Sequence, residues 1–102
     1  MLTQVQLTRR AEQSLKKVPG QVAANFFIWK REVEEHGLEV VRKVPGYHDE
    51  PLQGKLKGRV RSVRMGSGFR TFYRIVGTET KCVLVEEVNK HDYKKVERLF
   101  GI

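Results

Sequence analysis

Apolar side chains at the start of the chain recur first at every second residue and then at the spacing of a helix. Val5 and Leu7 alternate with polar neighbours, which predicts a strand over about residues 2–7. Thr8 is a favourable N-cap, and apolar residues then recur at helical spacing until Pro19. The pattern predicts a strand that leads directly into a helix.

A second helix follows, with apolar positions at steps of three and four from Val22 to Val33 and an end at Gly37. We interpret this stripe as core packing, so the two helices form a hairpin. Residues 38–54 have no clear period. A helical turn at their start and irregular backbone around Pro45 are expected there.

The second half of the chain has a period of two. Residues 60–65 and 69–76 alternate on either side of a glycine-rich turn, which predicts a hairpin, and a valine-rich strand follows over residues 81–88. Residues 92–100 predict a short helix. We therefore predict one α+β domain over residues 1–102, in which the first strand and helical hairpin pack on one face of a small, mainly antiparallel twisted sheet, with a short C-terminal helix.

Composition narrows the class of protein. The chain has 102 residues, of which 39% are apolar and 31% charged, and this suits one globular domain. No apolar run approaches the ~20 residues of a membrane span, and the first residues lack the layout of a secretory signal. Cys82 is the one cysteine. We expect a cytoplasmic protein without a membrane partner.

The net charge of +8 lies almost wholly in the second half. Residues 1–51 carry eight basic and seven acidic side chains, whereas residues 52–102 carry twelve and five. Residues 55–74 hold seven cations and no acid. Because such cations repel one another, this segment predicts either a polyanionic partner or a solvated face.

Several kinds of chemistry lack their motif. There is no glycine-rich phosphate loop between a strand and a helix, no nucleophile elbow, and no metal-ligand spacing among the histidines and the cysteine. We therefore expect no metal and no cofactor. Acid–base and cationic chemistry remain, and RNA cleavage without a metal needs only a base, an acid and cations beside the phosphate.

Candidate residues for that reaction lie on the predicted sheet. Arg70, Phe72 and Arg74 share one strand face, a pattern that suits phosphate binding and base stacking. We expect Arg70 to face a cleft and not to be a core residue. The other candidates for the acid–base and cationic set are Arg64, His48, His91 and Tyr93.

The order of these motifs resembles the RelE/ParE toxin superfamily, most of all its RelE and HigB types. The matching segments are Pro51-Leu52-Gln53-Gly54, Arg61-Ser62-Val63-Arg64, Gly68-Phe69-Arg70-Thr71-Phe72-Tyr73-Arg74-Ile75 and Glu87-Val88-Asn89-Lys90-His91-Asp92-Tyr93. The resemblance implies a RelE-like fold and a ribosome-dependent mRNA endonuclease that works by attack of the 2′-hydroxyl and leaves a cyclic phosphate. It also implies a cognate antitoxin that covers the basic surface, and so a toxin–antitoxin hetero-oligomer.

Site residues follow from the resemblance one by one. Arg70 matches the arginine at the scissile phosphate, His91 an acid or phosphate ligand, and Tyr93 a tyrosine or histidine near the last helix. Arg64 is preferred to Arg61 as a catalytic cation, and His48 matches a loop histidine. The base stays open among Glu50, Glu86 and Glu87. The predicted RNA-binding residues are Lys55, Lys57, Arg59, Arg61, Arg74, Phe72, Lys90 and Lys94.

Two other functions remain open. A ParE-like protein of the same fold would inhibit DNA gyrase without cutting RNA, and a non-catalytic RNA-binding module would explain the charge alone. The His91 and Tyr93 pair after the last strand favours the nuclease.

Overall fold

The computed structural model describes residues 2–90 and 93–99. Within them the elements are β1 (Val5–Leu7), α1 (Arg9–Leu15), α2 (Gly20–His36), α3 (Leu38–Val41), β2 (Glu50–Pro51), β3 (Arg61–Gly66), β4 (Phe69–Val76), β5 (Cys82–Asn89) and α4 (Tyr93–Leu99). Short 3₁₀ turns occur at Pro45–Tyr47 and Gly54–Leu56. The α+β class, the helical hairpin and the long β-hairpin agree with the sequence prediction, whereas β2 was not foreseen.

The described strands form one five-stranded sheet in the order β1-β5-β4-β3-β2. β1 lies parallel to β5, and the other neighbours are antiparallel. Thr8 caps α1 by accepting a hydrogen bond from the Ala11 amide, as its side chain predicts. None of the helices in the described ranges has the length and apolar character to cross a bilayer.

The main core lies between the helices and one face of the sheet. Trp29 and Phe26 of α2 pack there with strand residues such as Tyr73 and Val63, and all four are fully buried. Trp29 and Tyr73 are in ring contact, with centroids 5.7 Å apart. The apolar stripe of α2 is therefore core at Val22, Phe26 and Val33, as predicted, whereas Phe27 of the same stripe is 53% exposed.

A second, smaller core covers the opposite face of the sheet. Phe72 of β4 lies there with Val96 of α4 and with three residues of the segment between β2 and β3, namely Leu52, Leu56 and Val60. The expectation that the sheet is covered on one face only is thus incomplete. Phe72 is closed to solvent, so the prediction that its ring is a stacking platform for RNA bases is wrong.

An irregularity in β5 decides which side chains reach each face. The β4–β5 register shifts between Phe72 and Tyr73, so that Glu86 is the extra residue of a β-bulge. As a result Val85 and Val88, three residues apart, both belong to the main core. Glu86 and Glu87 lie between them, off the helical face.

The second core gives a first prediction. Replacing Phe72 by alanine is expected to lower the free energy of unfolding by about 3–5 kcal/mol, because the variant loses a large buried ring and leaves a cavity. Urea unfolding of the purified chain measures this loss. Ile75→Ala is the matched control, since Ile75 lies on the same strand with 43% exposure, and a similar loss in both variants would contradict the second core.

Candidate active site

The candidate site is built around the loop of residues 48–50, which leads into β2. His48 adopts a left-handed backbone conformation with φ of 47°, which is unfavourable for a residue other than glycine. A conformation of this kind persists only where surrounding contacts hold it. Side chains of β3 and β4 provide those contacts.

Asp49 is the first anchor of the loop. Its carboxylate is 1% exposed, and each oxygen accepts one short hydrogen bond. Arg61 Nε donates to Oδ1 over 2.6 Å, and the Tyr73 hydroxyl donates to Oδ2 over 2.6 Å. Arg61 and Tyr73 are direct register partners on β3 and β4, so the two strands together hold the buried carboxylate.

Protonation states follow from this arrangement. Burial raises the pKa of Tyr73 far above its ordinary value, and the neighbouring Asp49 charge adds to the shift. Burial opposes the charge of Arg61, but the Asp49 hydrogen bond and charge outweigh it and raise the pKa of the guanidinium. Tyr73 therefore remains a neutral donor and Arg61 a cation.

Arg70 is the second anchor, and it is buried, with 3% of its side chain exposed. Its Nε donates to Ser62 Oγ over 2.9 Å, and its Nη2 donates to the carbonyls of His48 (2.7 Å) and Ser62 (3.1 Å). The expectation that Arg70 is not a core residue is wrong. Because the guanidinium satisfies one carbonyl of the loop and one of β3, removing it would also disturb the fold.

The exposed part of the site lies on the sheet face opposite the helical hairpin. Strand register places Arg64 directly across from Arg70, and Glu50 across from Ser62. Glu50 Oε1 is 3.8 Å from Arg70 Nη2, and Glu50 Oε2 is 3.2 Å from His48 Nε2. Arg64 is exposed and bonds to no other residue within the described ranges.

The structure thus brings together three of the five predicted catalytic residues, namely His48, Arg64 and Arg70. His91 lies outside the described residues. Tyr93 begins α4, but its side chain is outside the described part of the chain. Beside Glu50 a cleft of about 550 Å³ opens between the loop before β3 and α4, lined by Pro51, Leu52, Gln53, Leu56 and Glu97.

The three candidate bases have different surroundings. Glu86 is largely buried and accepts a 2.9 Å hydrogen bond from Arg74. Glu87 is completely buried, with an oxygen 3.0 Å from Lys95 Nζ. Glu50 is 46% exposed and lies beside Arg70. Of these three carboxylates, Glu50 is the one that solvent and a substrate reach.

The seven cations among the predicted RNA-binding residues divide into two groups. Arg61 is paired with Asp49 and Arg74 with Glu86, and both acids lie outside the 55–74 segment. Lys55, Lys57, Arg59, Lys90 and Lys94 are exposed. The acid-free segment is therefore partly neutralised in space, which its sequence does not reveal. The described residues hold no cluster of three His, Cys, Asp or Glu side chains that would bind a metal.

The fold is similar to those of solved toxin structures. The RelBE2 toxin–antitoxin complex from Mycobacterium tuberculosis contains a chain with 23% identity and a TM-score of 0.63, over 89% of this chain and 100% of that chain. The archaeal RelE–RelB complex from Pyrococcus horikoshii OT3 contains a chain with 18% identity and a TM-score of 0.65, over 90% of this chain and 98% of that chain. A variant of the E. coli toxin RelE in the free state has 21% identity and a TM-score of 0.66, over 96% of this chain and 93% of that chain.

These likenesses show that the chain has the RelE-like fold, as the sequence motifs predicted. No family model matches the sequence, and no curated protein matches it. The likeness extends over nearly the whole chain, so the site described above lies within the shared fold.

The Asp49 anchor gives a second prediction. Tyr73→Phe is expected to lower the free energy of unfolding by about 1.5–3 kcal/mol at neutral pH, because a buried hydrogen bond to a charged group is lost. The pKa of Tyr73 is higher in the folded state than in the unfolded chain. Tyr73 therefore stabilises the folded protein fully below the unfolded-state tyrosine pKa of about 10, and this contribution declines at higher pH. The difference between wild type and variant should therefore narrow above that pH. Urea unfolding at two pH values measures it, and a constant difference would contradict the assignment.

Proposed function

We propose that this chain is the toxin of a toxin–antitoxin system and an endoribonuclease that cuts mRNA in the A site of the ribosome without a metal. The RelE-like fold supports the first part of the proposal. The observation that carries the second part is the position of Glu50, an accessible carboxylate that lies 3.8 Å from Arg70, the register partner of Arg64.

Glu50 serves as the general base in this proposal. Its neighbour Arg70 is a fixed cation, and the 3.2 Å contact with His48 holds the other carboxylate oxygen. A carboxylate in this setting accepts the proton of a 2′-hydroxyl that lies within hydrogen-bond reach. The adjacent cleft of about 550 Å³ has space for the nucleotide that presents this hydroxyl.

The reaction forms one bond and breaks another at the same phosphorus. The deprotonated 2′-oxygen attacks the phosphorus, and the bond from phosphorus to the 5′-oxygen breaks. The products are a 2′,3′-cyclic phosphate and a 5′-hydroxyl, which receives its proton from an acid. Arg64, exposed opposite Arg70, supplies positive charge to the phosphorane as its negative charge grows.

The remaining roles follow the sequence resemblance and are part of the same proposal. His91 donates the proton to the leaving oxygen or binds the phosphate, and Tyr93 assists beside it. Arg70 fixes Glu50 and adds its charge from beneath the surface. The exposed cations Lys55, Lys57, Arg59, Lys90 and Lys94 attract the RNA backbone.

We further propose a cytoplasmic location and an antitoxin as protein partner, with which the toxin forms a hetero-oligomer. Two of the similar structures are toxin–antitoxin complexes. The exposed cations provide a surface that an acidic antitoxin would complement.

The proposal gives a third prediction. Glu50→Gln is expected to reduce the rate of RNA cleavage by about 10²–10⁴-fold, because the amide keeps the shape of the carboxylate but accepts no proton. Cleavage is measured by primer extension on mRNA translated in a purified ribosomal system.

Glu79→Gln is the matched control, since Glu79 is an exposed residue in the turn before β5. The control should cleave like wild type. Full cleavage by the Glu50 variant would remove Glu50 as the base. A wild-type chain that leaves mRNA intact while it inhibits gyrase would instead support a ParE-like activity.

A further inference from the structure

A second basic surface lies at the end of β5, whereas Glu50 lies on β2 at an edge of the described sheet. It is a groove of about 250 Å³ between the N-terminal helix region, the end of β5 and α4, and we call it the α1 groove. Its lining residues include four cations, Arg10, Lys17, Lys90 and Lys95, which come from three separate parts of the chain. Arg10 and Lys17 lie in the first half of the chain, which is nearly neutral overall, so the distribution of charge along the sequence does not indicate them.

The α1 groove has an excess of positive charge. Arg10, Lys17 and Lys90 are exposed, and the one carboxylate in the lining, Glu87, is buried with Lys95 at 3.0 Å. Lys90 is directed across the β3–β4 turn, since its Cε lies 3.3 Å from where a side chain on Gly68 would begin. Three exposed cations thus border a groove whose single acid already has a cation beside it.

Strand register relates the α1 groove to the proposed cleavage site. Asn89 lines the groove and is the register partner of Arg70 on the neighbouring strand, while Arg70 is in turn opposite Arg64. Phe69, the residue before Arg70, also lines the groove. We infer that an RNA backbone extended from Arg64 across β4 and β5 would reach Lys90 and then the cations of the α1 region.

We propose that the α1 groove binds the phosphodiester backbone of the single-stranded RNA that flanks the cleaved bond. This rests on the proposed function, because it assigns the groove to the same substrate. The chemistry is sequence-independent, since lysine and arginine neutralise phosphates without reading bases. A basic groove of this kind tracks the backbone of a single strand.

The test compares two double variants of the full chain. Arg10→Gln with Lys17→Gln removes two cations from the α1 groove, and Arg9→Gln with Lys16→Gln removes two equally exposed cations of the same helix region that do not line it. Both variants have the same net charge. The probe is a short 2′-O-methyl RNA oligonucleotide, which lacks the nucleophile and cannot be cut.

We expect the groove variant to bind the oligonucleotide roughly tenfold more weakly at low salt, with a slope of log affinity against log salt reduced by about 1.4, the value for two phosphate contacts on a single strand. The control variant should retain the wild-type slope. Equal losses in the two variants would overturn the proposal, because only bulk charge would then matter.

Two other outcomes would also overturn it. One is a loss of affinity for an acidic antitoxin peptide with unchanged oligonucleotide binding, which would make the groove a protein interface. The other is a loss seen only with whole ribosomes, which would assign the groove to ribosomal RNA. Because the probe cannot be cleaved, a failure of the proposed nuclease activity appears separately, as intact mRNA with the wild-type chain.

Discussion

The buried carboxylate of Asp49 is the constraint on which the site depends. An ionised group in the protein interior is tolerated only when its oxygens are hydrogen-bonded, and here Arg61 and Tyr73 meet that need from adjacent strands. Fixing Asp49 also fixes the positions of its chain neighbours. His48 and Glu50 flank it on the chain, so their side chains are presented at the edge of the sheet beside Arg70. The strained backbone at His48 is consistent with a loop held from below by side chains rather than by regular pairing.

This constraint changes how the positive charge of the chain is understood. Arg61, Arg70 and Arg74 are close in sequence to the other cations, yet each contacts an acid of the same chain. Arg61 and Arg70 order the loop of residues 48–50, whereas Arg74 pairs with Glu86 on β5. Arg64 and the exposed lysines are the cations that the proposed function assigns to an anionic partner, and the proposed α1 groove adds Arg10 and Lys17 to them. Fewer cations of the 55–74 segment are unpaired than its sequence suggests, whereas the nearly neutral first half contributes two exposed cations, Arg10 and Lys17, to a basic groove.

The sequence was most informative where a regular period governs structure. The α2 stripe and the β3–β4 hairpin follow directly from their spacing. β2 escaped notice because two residues have no period, and its existence depends on pairing with Ser62 and Arg61. Phe72 and Arg70 were assigned to a surface because alternation gives a face but not what covers it. Packing against α4 and the segment after β2 buries Phe72, whereas Arg70 is buried where it bonds to Ser62 and His48. Those contacts join residues that are not neighbours in the chain. Exposure likewise separates Glu50 from Glu86 and Glu87, a distinction that spacing alone does not make.

We propose that Arg61, which donates a 2.6 Å hydrogen bond to the buried Asp49 carboxylate, supports cleavage by holding Asp49 and not by contact with the substrate. A double-mutant cycle tests this most directly. The rate constant for RNA cleavage at saturating substrate is measured for Arg61→Ala, Asp49→Ala and the double variant, each confirmed as folded. We predict that the double variant cleaves about as fast as the slower single variant, because both changes break the same contact. Losses that multiply would show that Arg61 contributes independently of Asp49, and this result would contradict the account.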